Sequence, residues 1–286
     1  TDTMTRDVAE HLLLSTRKSF APVVDGNRQV LGIASLDDFA AIETIDNPAV
    51  IFAGGFGKRL RPFTDELPKP MLPVGGTPIV MKVIESLVDH GVNNLHLLLH
   101  YLPEAFENYF ADKTFLGRSA NLITEEAPRG TAGGLALLRE QLDKPFLALN
   151  GDNIVKAPWK EVLYDHEASE AALTIGVSEY KITVPFGVLD TMEGDVRGVV
   201  EKPTYCWQTI CSAYCVSPDA LSYVPAEGSF DMPDLISALL ADNRKVRYFR
   251  VSDYQRIEEL VDSHSDIWYT HLENLGHDSA DKKANT

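Results

Sequence analysis

From Ala49 to Leu149 short apolar runs alternate with amphipathic segments, and this rhythm limits the possible folds more than any other feature of the chain. Val50-Ile51-Phe52 and residues 95–99, 121–124 and 146–149 read as strands. Residues 78–89 carry Ile79, Val83 and Leu87 at i, i+4 and i+8 and lead to a capping glycine, Gly91; residues 103–110 and 131–142 read as further helices. Strand-helix repetition predicts an α/β fold, a Rossmann-like mixed, mostly parallel sheet with helices on both faces, because parallel neighbours need crossover connections. Ligands in such a fold gather beyond the carboxyl ends of the strands. After Asn153 the pattern turns to shorter strands at 173–177, 186–189, 196–201 and 212–216, then a helix at 233–241 and a strand at 246–251.

The first 46 residues have a separate rhythm: a helical pattern through Val8, Leu12, Leu13 and Leu14, a strand at Pro22-Val23-Val24, a turn at Asp25-Gly26-Asn27, a strand at 30–34 and a short helix at 36–42. Alone this stretch is too small to bury a core. It resembles one CBS motif, and since such motifs work in pairs on adenosine ligands, a single one reads as the remnant of a truncated, partial module. The predicted organisation is this module and linker at 1–46, a catalytic domain at 47–272 and a polar tail at 273–286.

Composition narrows the class of function. With 44% hydrophobic and 24% charged residues the chain suits a packed globular body. Its net charge of −16 repels nucleic-acid backbones and anionic lipid, so neither nucleic acid nor membrane is an expected partner. No apolar run approaches the roughly 18 residues of a bilayer span, and no signal segment opens the chain, which points to the cytoplasm. Cys206, Cys211 and Cys215 lack CxxC spacing and read as buried structural residues rather than a metal site.

The strongest chemical signal follows the first strand of the large domain, at Ala53-Gly54-Gly55-Phe56-Gly57-Lys58-Arg59-Leu60-Arg61-Pro62. Glycines let backbone N–H groups face an anion, and Lys58, Arg59 and Arg61 can neutralise phosphate oxygens. A P-loop is excluded, because Phe52 and Arg59 stand where it needs Gly and Ser or Thr; a dinucleotide fingerprint is excluded by the helix-breaking Pro62, Pro68 and Pro70. Pro68-Lys69-Pro70 presents Lys69 from a stiff segment. Asn150-Gly151-Asp152 puts a carboxylate at a strand end, where a hard divalent cation accepts oxygen ligands. Glu201-Lys202-Pro203 ends another strand, and as an isolated tripeptide could equally be a solvated turn.

In order, GGFGKRLRPFT at 54–64, PKPMLPV at 68–74, EEAPRGTAG at 125–133, NGD at 150–152, PFGV at 185–188 and EKP at 201–203 resemble the sugar-1-phosphate nucleotidylyltransferases, or nucleotide-sugar pyrophosphorylases; DMPDLI at 231–236 resembles the branch with upstream CBS motifs. The resemblance implies an enzyme that makes a nucleotide-diphosphate sugar and pyrophosphate from an NTP and a sugar 1-phosphate with Mg²⁺. It assigns Arg59, Lys69, Asp152 and Lys202 to catalysis, Asp152 to the metal, and Ala53, Gly54, Gly55, Gly57, Lys58, Glu125, Gly130 and Thr131 to the nucleotide. Gly187 and Glu201 go to the sugar. An ionised Glu125 could accept from both N1–H and the exocyclic amine of guanine, which favours GTP, and it could equally be a solvated loop acid. A homo-oligomer is a further expected partner state.

The chain departs from the family pattern twice. Ile210 stands where the family has a sugar-binding asparagine, and Ile257 where it has a second metal-binding aspartate. Glu258, one residue on, would reach the metal only through a local backbone shift. A catalytically weak relative that binds NTP or nucleotide sugar as a sensor is the alternative reading.

Overall fold

The computed structural model describes residues 20–35 and 42–258, with Leu13, Thr16 and Lys18 besides. The expected helix around residues 8–14 (Leu13 aside), the one starting at Leu36 and the polar tail lie outside the described residues. The chain divides between Glu43 and Thr44 into two compact units. In the first, β1 (Phe20–Val24) and β2 (Val30–Ser35) form an antiparallel hairpin. Its turn is held by Asp25 Oδ1, which accepts from the amides of Asn27 and Gln29 at 2.9 and 2.8 Å.

The second unit is built on β3 (Ala49–Phe52), a small hairpin of β4 (Pro73–Val74) and β5 (Thr77–Pro78), and then β6 (Leu95–Leu99), β7 (Asn121–Thr124), β8 (Phe146–Asn150) and β9 (Asn153–Lys156). There follow β10 (Leu173–Thr183), β11 (Gly187–Met192), β12 (Asp195–Glu201), β13 (Thr204–Val216), β14 (Val246–Arg250) and β15 (Asp253–Arg256). Seven strands make one sheet in the order β14-β10-β13-β8-β3-β6-β7, in which only β13 runs against the rest. The mostly parallel α/β sheet read from the sequence is the observed one. Strand order reverses at β3: the chain steps outward to β6 and β7, then returns to place β8 on β3's other side.

Period-2 side-chain alternation sorts these strands into two cores. Ile51, Leu97, Leu99, Leu147 and Leu149 face one side, packed by Val80, Val83, Ile84 and Leu87 of α1 (Ile79–Val88), Phe106 and Phe110 of α2 (Pro103–Phe110), and Trp159, Val162 and Leu163 of α4 (Trp159–Ala168), α3 being the short turn Gly130–Gly133. Val50, Leu98, Phe146 and Ala148 face the other, against Leu135 and Leu138 after α3 and Met232, Leu235 and Leu239 of α5 (Met232–Ala241). Each fully buried aliphatic side chain contributes about 1.5–3 kcal/mol.

Several elements differ from the sequence reading. The expected helix at 131–142 is a single α turn, α3, followed by a 3-10 segment at Gly134–Leu138. The amides of Ala132 and Gly133 donate to Phe230 O at 2.9 and 2.8 Å, and the adjacent glycines let the backbone tighten. Helix α4 was not anticipated, although Trp159, Val162, Leu163 and His166 recur at helical spacing and are buried. Strands β10 and β13 are longer than expected, because past the sheet they continue as a ribbon pairing Ser178 with Thr209 through to Thr183 with Thr204. Cys211 and Cys215 are buried on β13, but Cys206 is exposed on that ribbon, against the expectation of burial.

Candidate active site

The ends of β3, β6, β7 and β8 deliver the chemistry-bearing residues to one edge of the sheet. Ala53 N donates to Leu98 O at 2.8 Å and Gly151 N to Phe52 O at 2.9 Å, so the glycine loop and the Asp152 turn leave neighbouring strands in fixed register. Gly57 has φ +61°, and a Cβ there would stand 2.8 Å from Thr64 Cγ2 and 3.1 Å from Lys69 Cβ; only glycine fits this bend. Buried Thr64 fixes the bend by donating to Gly57 O at 2.9 Å. Leu60 turns into an apolar cluster with Leu72, Ile79 and Ile154, which leaves the Arg59 side chain 82% exposed.

Two clefts open on this edge. One, of about 300 Å³, is lined by Ala53, Gly54, Glu125, Gly130 and Thr131 among others. The other, of about 220 Å³, is lined by Gly57, Lys58, Arg59 and Glu258 among others. Gly55, Lys69 and Asp152 line both. Eleven of the residues named from the sequence for catalysis and nucleotide binding therefore meet in one place: Ala53, Gly54, Gly55, Gly57, Lys58, Arg59, Lys69, Glu125, Gly130, Thr131 and Asp152.

Lys69 sits at the centre of the charge. It lies on a 3-10 turn, Lys69–Met71, whose Pro70 and Met71 are buried, so the rigid presentation read from the flanking prolines comes from a packed turn rather than an extended segment. Its ammonium is 2.6 Å from Asp152 Oδ2 and 2.7 Å from Glu258 Oε1. Burial pushes the Glu258 carboxyl upward, but the hydrogen bond from Lys69, a backbone amide and the charges of Lys69 and Arg59 outweigh it and hold the group below its ordinary value.

Glu258 reaches this point through β-sheet geometry. Strand β15 pairs antiparallel with β9, Arg256 opposite Asn153, and Ile257 N donates to Asp152 O at 3.3 Å. Ile257 is fully buried against Leu60, Leu72, Ile79 and Ile154, and the next side chain faces the cleft. Asp152 Oδ1 is buried without a hydrogen-bond partner. That free oxygen beside a second carboxylate suits a hard divalent cation such as Mg²⁺, which keeps several waters and needs few protein ligands. No cluster of three or more His, Cys, Asp or Glu exists among the described residues.

Glu125 is not a solvated loop acid. It is 7% exposed, lines the larger cleft, and its Oε1 lies where a Cβ on Gly134 would come within 2.1 Å. Burial raises its pKa, opposed by a hydrogen bond from the Arg129 amide and by the charges of His100 and Arg129. The loop that carries it is strapped from behind: Thr131 N and Oγ1 both donate to Asp231 Oδ1, at 2.7 and 3.1 Å. Gly130, at φ +77°, passes so close that a Cβ would meet Asp231 Oδ1 at 2.7 Å.

The two residues assigned to the sugar, and Lys202 of the four assigned to catalysis, are elsewhere. Gly187 pairs with Glu201 at the open end of the β11-β12 hairpin, Lys202 follows at φ +47°, and none of the three lines either cleft. Ile210 is 43% exposed on β13, paired with Val177 just before the ribbon begins. Sequence reading missed Phe56, Pro128, Arg129 and Asn150, which line the larger cleft; the only available signal was adjacency to residues already named.

Residues 48–255 match the family model described as nucleotidyl transferase. A probable mannose-1-phosphate guanylyltransferase 1 of Oryza sativa subsp. japonica is 33% identical over 205 residues, 68% of this chain and 56% of that protein. A mannose-1-phosphate guanylyltransferase catalytic subunit beta of Danio rerio is 38% identical over 162 residues, 54% of this chain and 45% of that protein. The chain thus spans about half the length of the curated relatives it matches. Among solved structures, HddC from Yersinia pseudotuberculosis aligns with TM-score 0.56 at 24% identity, over 74% of this chain and 93% of that one. A UDP-glucose pyrophosphorylase complexed with UDP-glucose aligns with TM-score 0.58 at 15% identity, over 79% and 100%. At those identities the likeness is one of fold. With the family model covering the seven-stranded sheet, the larger cleft and all of the smaller cleft's lining but Glu258, the chain belongs to the nucleotidyl transferase family.

Proposed function

We propose that this chain transfers a nucleotidyl group from an NTP, GTP by preference, to a sugar 1-phosphate, forming a nucleotide-diphosphate sugar and releasing pyrophosphate. The observation that carries this reading is the convergence of the glycine loop, Lys69, Asp152 and Glu125 on one pair of joined clefts at the switch in strand order. The guanylyltransferase names of the relatives support the choice of base, and mannose 1-phosphate is the first acceptor to try.

In this reading the backbone around Gly54, Gly55 and Gly57 cradles the triphosphate, and Lys58 and Arg59 screen the departing pyrophosphate. Asp152 with Glu258 would hold Mg²⁺, which supplies charge neutralisation at the phosphates. Glu125 accepts from the guanine edge, and Gly130 and Thr131 shape the wall behind it. Glu201, Lys202 and Gly187 hold the acceptor, brought over the cleft by movement of the β11-β12 hairpin. The sugar phosphate oxygen bonds to the α-phosphorus as the bond to pyrophosphate breaks, and the protein's work is to align two mutually repelling anions. No protein nucleophile takes part. We read the N-terminal hairpin as a CBS-like remnant; action in the cytoplasm and self-association belong to the same proposal.

A specific observation favours a second reading, a nucleotide-binding sensor: the three acceptor residues lie outside the clefts that the nucleotide residues share. Pyrophosphate release measured with five NTPs against a panel of sugar 1-phosphates decides between them. Turnover that requires one acceptor and favours GTP supports transfer; tight GTP binding without turnover on any acceptor supports the sensor.

A further inference from the structure

Two carboxylates from separate elements, Asp152 after β8 and Glu258 after β15, converge on a single point, and a monovalent ammonium occupies it. Lys69 Nζ lies 2.6 Å from one and 2.7 Å from the other, with its side chain 12% exposed. Arg59 reaches Glu258 only at 3.9 Å from the surface. An ionised carboxylate offers about four acceptor positions, and Asp152 Oδ1 spends its burial with no partner at all. The arrangement therefore has more negative donor capacity than one lysine uses. Neither carboxylate can drift away: Ile257 is anchored in the core beside Glu258, and Gly151 N holds the Asp152 turn to β3. Lys69 lines both clefts, so its side chain can leave the acids for the glycine-loop side by rotation while its turn stays packed.

Resting on the transfer reading above, we propose that Lys69 is an exchangeable counter-ion: it neutralises Asp152 and Glu258 in the free protein and moves to phosphate when a metal-loaded nucleotide enters, with Glu258 serving as the second carboxylate. Removing the ammonium then leaves two fixed acids whose mutual repulsion a divalent cation relieves.

Mn²⁺ binding to the nucleotide-free full chain, followed by loss of the free-ion electron paramagnetic resonance signal, tests this. Lys69→Met binds Mn²⁺ at least tenfold more tightly than the parent, and adding Glu258→Gln to it removes the gain. Equal affinities for Lys69→Met and the parent, or a gain that survives Glu258→Gln, overturn the proposal. Circular dichroism melts verify that each variant folds. Should Lys69→Met not fold, lysine ammonium ¹⁵N resonances of the unaltered protein carry the test: a protected Lys69 signal that shifts on adding Mg²⁺ with a non-hydrolysable GTP analogue supports exchange, and one that stays in place refutes it. Mn²⁺ uptake is read without nucleotide or turnover, so its failure leaves the transfer reading standing, and absent pyrophosphate release leaves the Mn²⁺ result unaffected.

Discussion

Strands β10 and β13 pass through two environments, and the contrast shows where this fold is stable and where it is not. Within the sheet Leu173, Cys215 and Val216 are fully buried, covered by helices and flanked by β8 and β14. A few residues further on the same two strands form a ribbon with Tyr180 54% and Trp207 50% exposed, and the β11-β12 hairpin beside them in sequence exposes Leu189, Val199 and Val200. Two-stranded ribbons are marginal in water without a third strand or a helix to cover them. The ribbon's own contacts are local: Tyr205 and Trp207 rings 5.9 Å apart, and Thr183 and Thr204 hydroxyls at 2.9 Å. The residues proposed for the nucleotide stand on the covered region and those proposed for the acceptor on the uncovered one. On that proposal the first set is preorganised, while the second has to be brought to the reaction.

That division makes its largest prediction for turnover. Asp152→Ala should lower the rate of pyrophosphate release by about 10²–10³-fold, the usual effect of removing one preorganised charge-stabilising group. Glu201→Ala should instead raise KM for the sugar 1-phosphate about tenfold and leave GTP affinity unchanged, the loss of one hydrogen bond to a charged group. Steady-state kinetics with each substrate varied in turn checks both, and equal damage to GTP affinity by Glu201→Ala would erase the distinction between the two regions.

Stability should divide the same way. Ile51→Ala removes a fully buried side chain from the middle of the sheet and should cost about 2–5 kcal/mol. Val199 is 65% exposed, and Val199→Ala should stay within about 0.5 kcal/mol in the same urea titration.

Acid sensitivity sharpens the comparison further. His166 is buried in the body, its two ring nitrogens 2.8 Å from Thr174 Oγ1 and 2.9 Å from Ser217 Oγ. Burial lowers its pKa from 6.5 to about 4, against a smaller opposing effect of Asp219. Between those values the unfolded chain binds a proton the native chain refuses, so the stability present above pH 6.5 is lost as pH falls toward 4. The loss should be on the order of 3 kcal/mol at most. Urea midpoints at pH 7 and 4.5 for the parent and His166→Gln measure it; an unchanged pH slope in the variant would mean other groups carry the effect.

The body was legible in the sequence because its signals are local. Apolar strands, glycine bends and Pro-flanked Lys69 each carry their own conformational reason, and the reversal of strand order at β3 brought them together as an α/β sheet does. Glu258 was harder to read. Its place depends on β15 pairing with β9 across a long separation, which buries Ile257 and turns the next side chain outward; no local pattern encodes that register. The ribbon was under-read for a related reason. Cys206, Gln208 and Thr209 lack strong strand patterning, and only pairing with β10 extends β13 back to Thr204.

A further predicted effect concerns base choice, where the covered region should act as a rigid template. Glu125 Oε1 fills the space that a side chain at Gly134 would need, and the Arg129 amide binds its carboxylate. Glu125→Gln keeps the shape and removes one acceptor, so GTP should lose about tenfold in affinity while UTP is unaffected. Because burial raises the Glu125 pKa, the parent's preference for GTP should also fade on acidification at a higher pH than an ordinary glutamate would allow, the protonated acid having lost an acceptor. Competition titrations of GTP against UTP from pH 7.5 downward would display that decline. A preference that is flat with pH and intact in Glu125→Gln would move base recognition to backbone groups of the loop at 126–130.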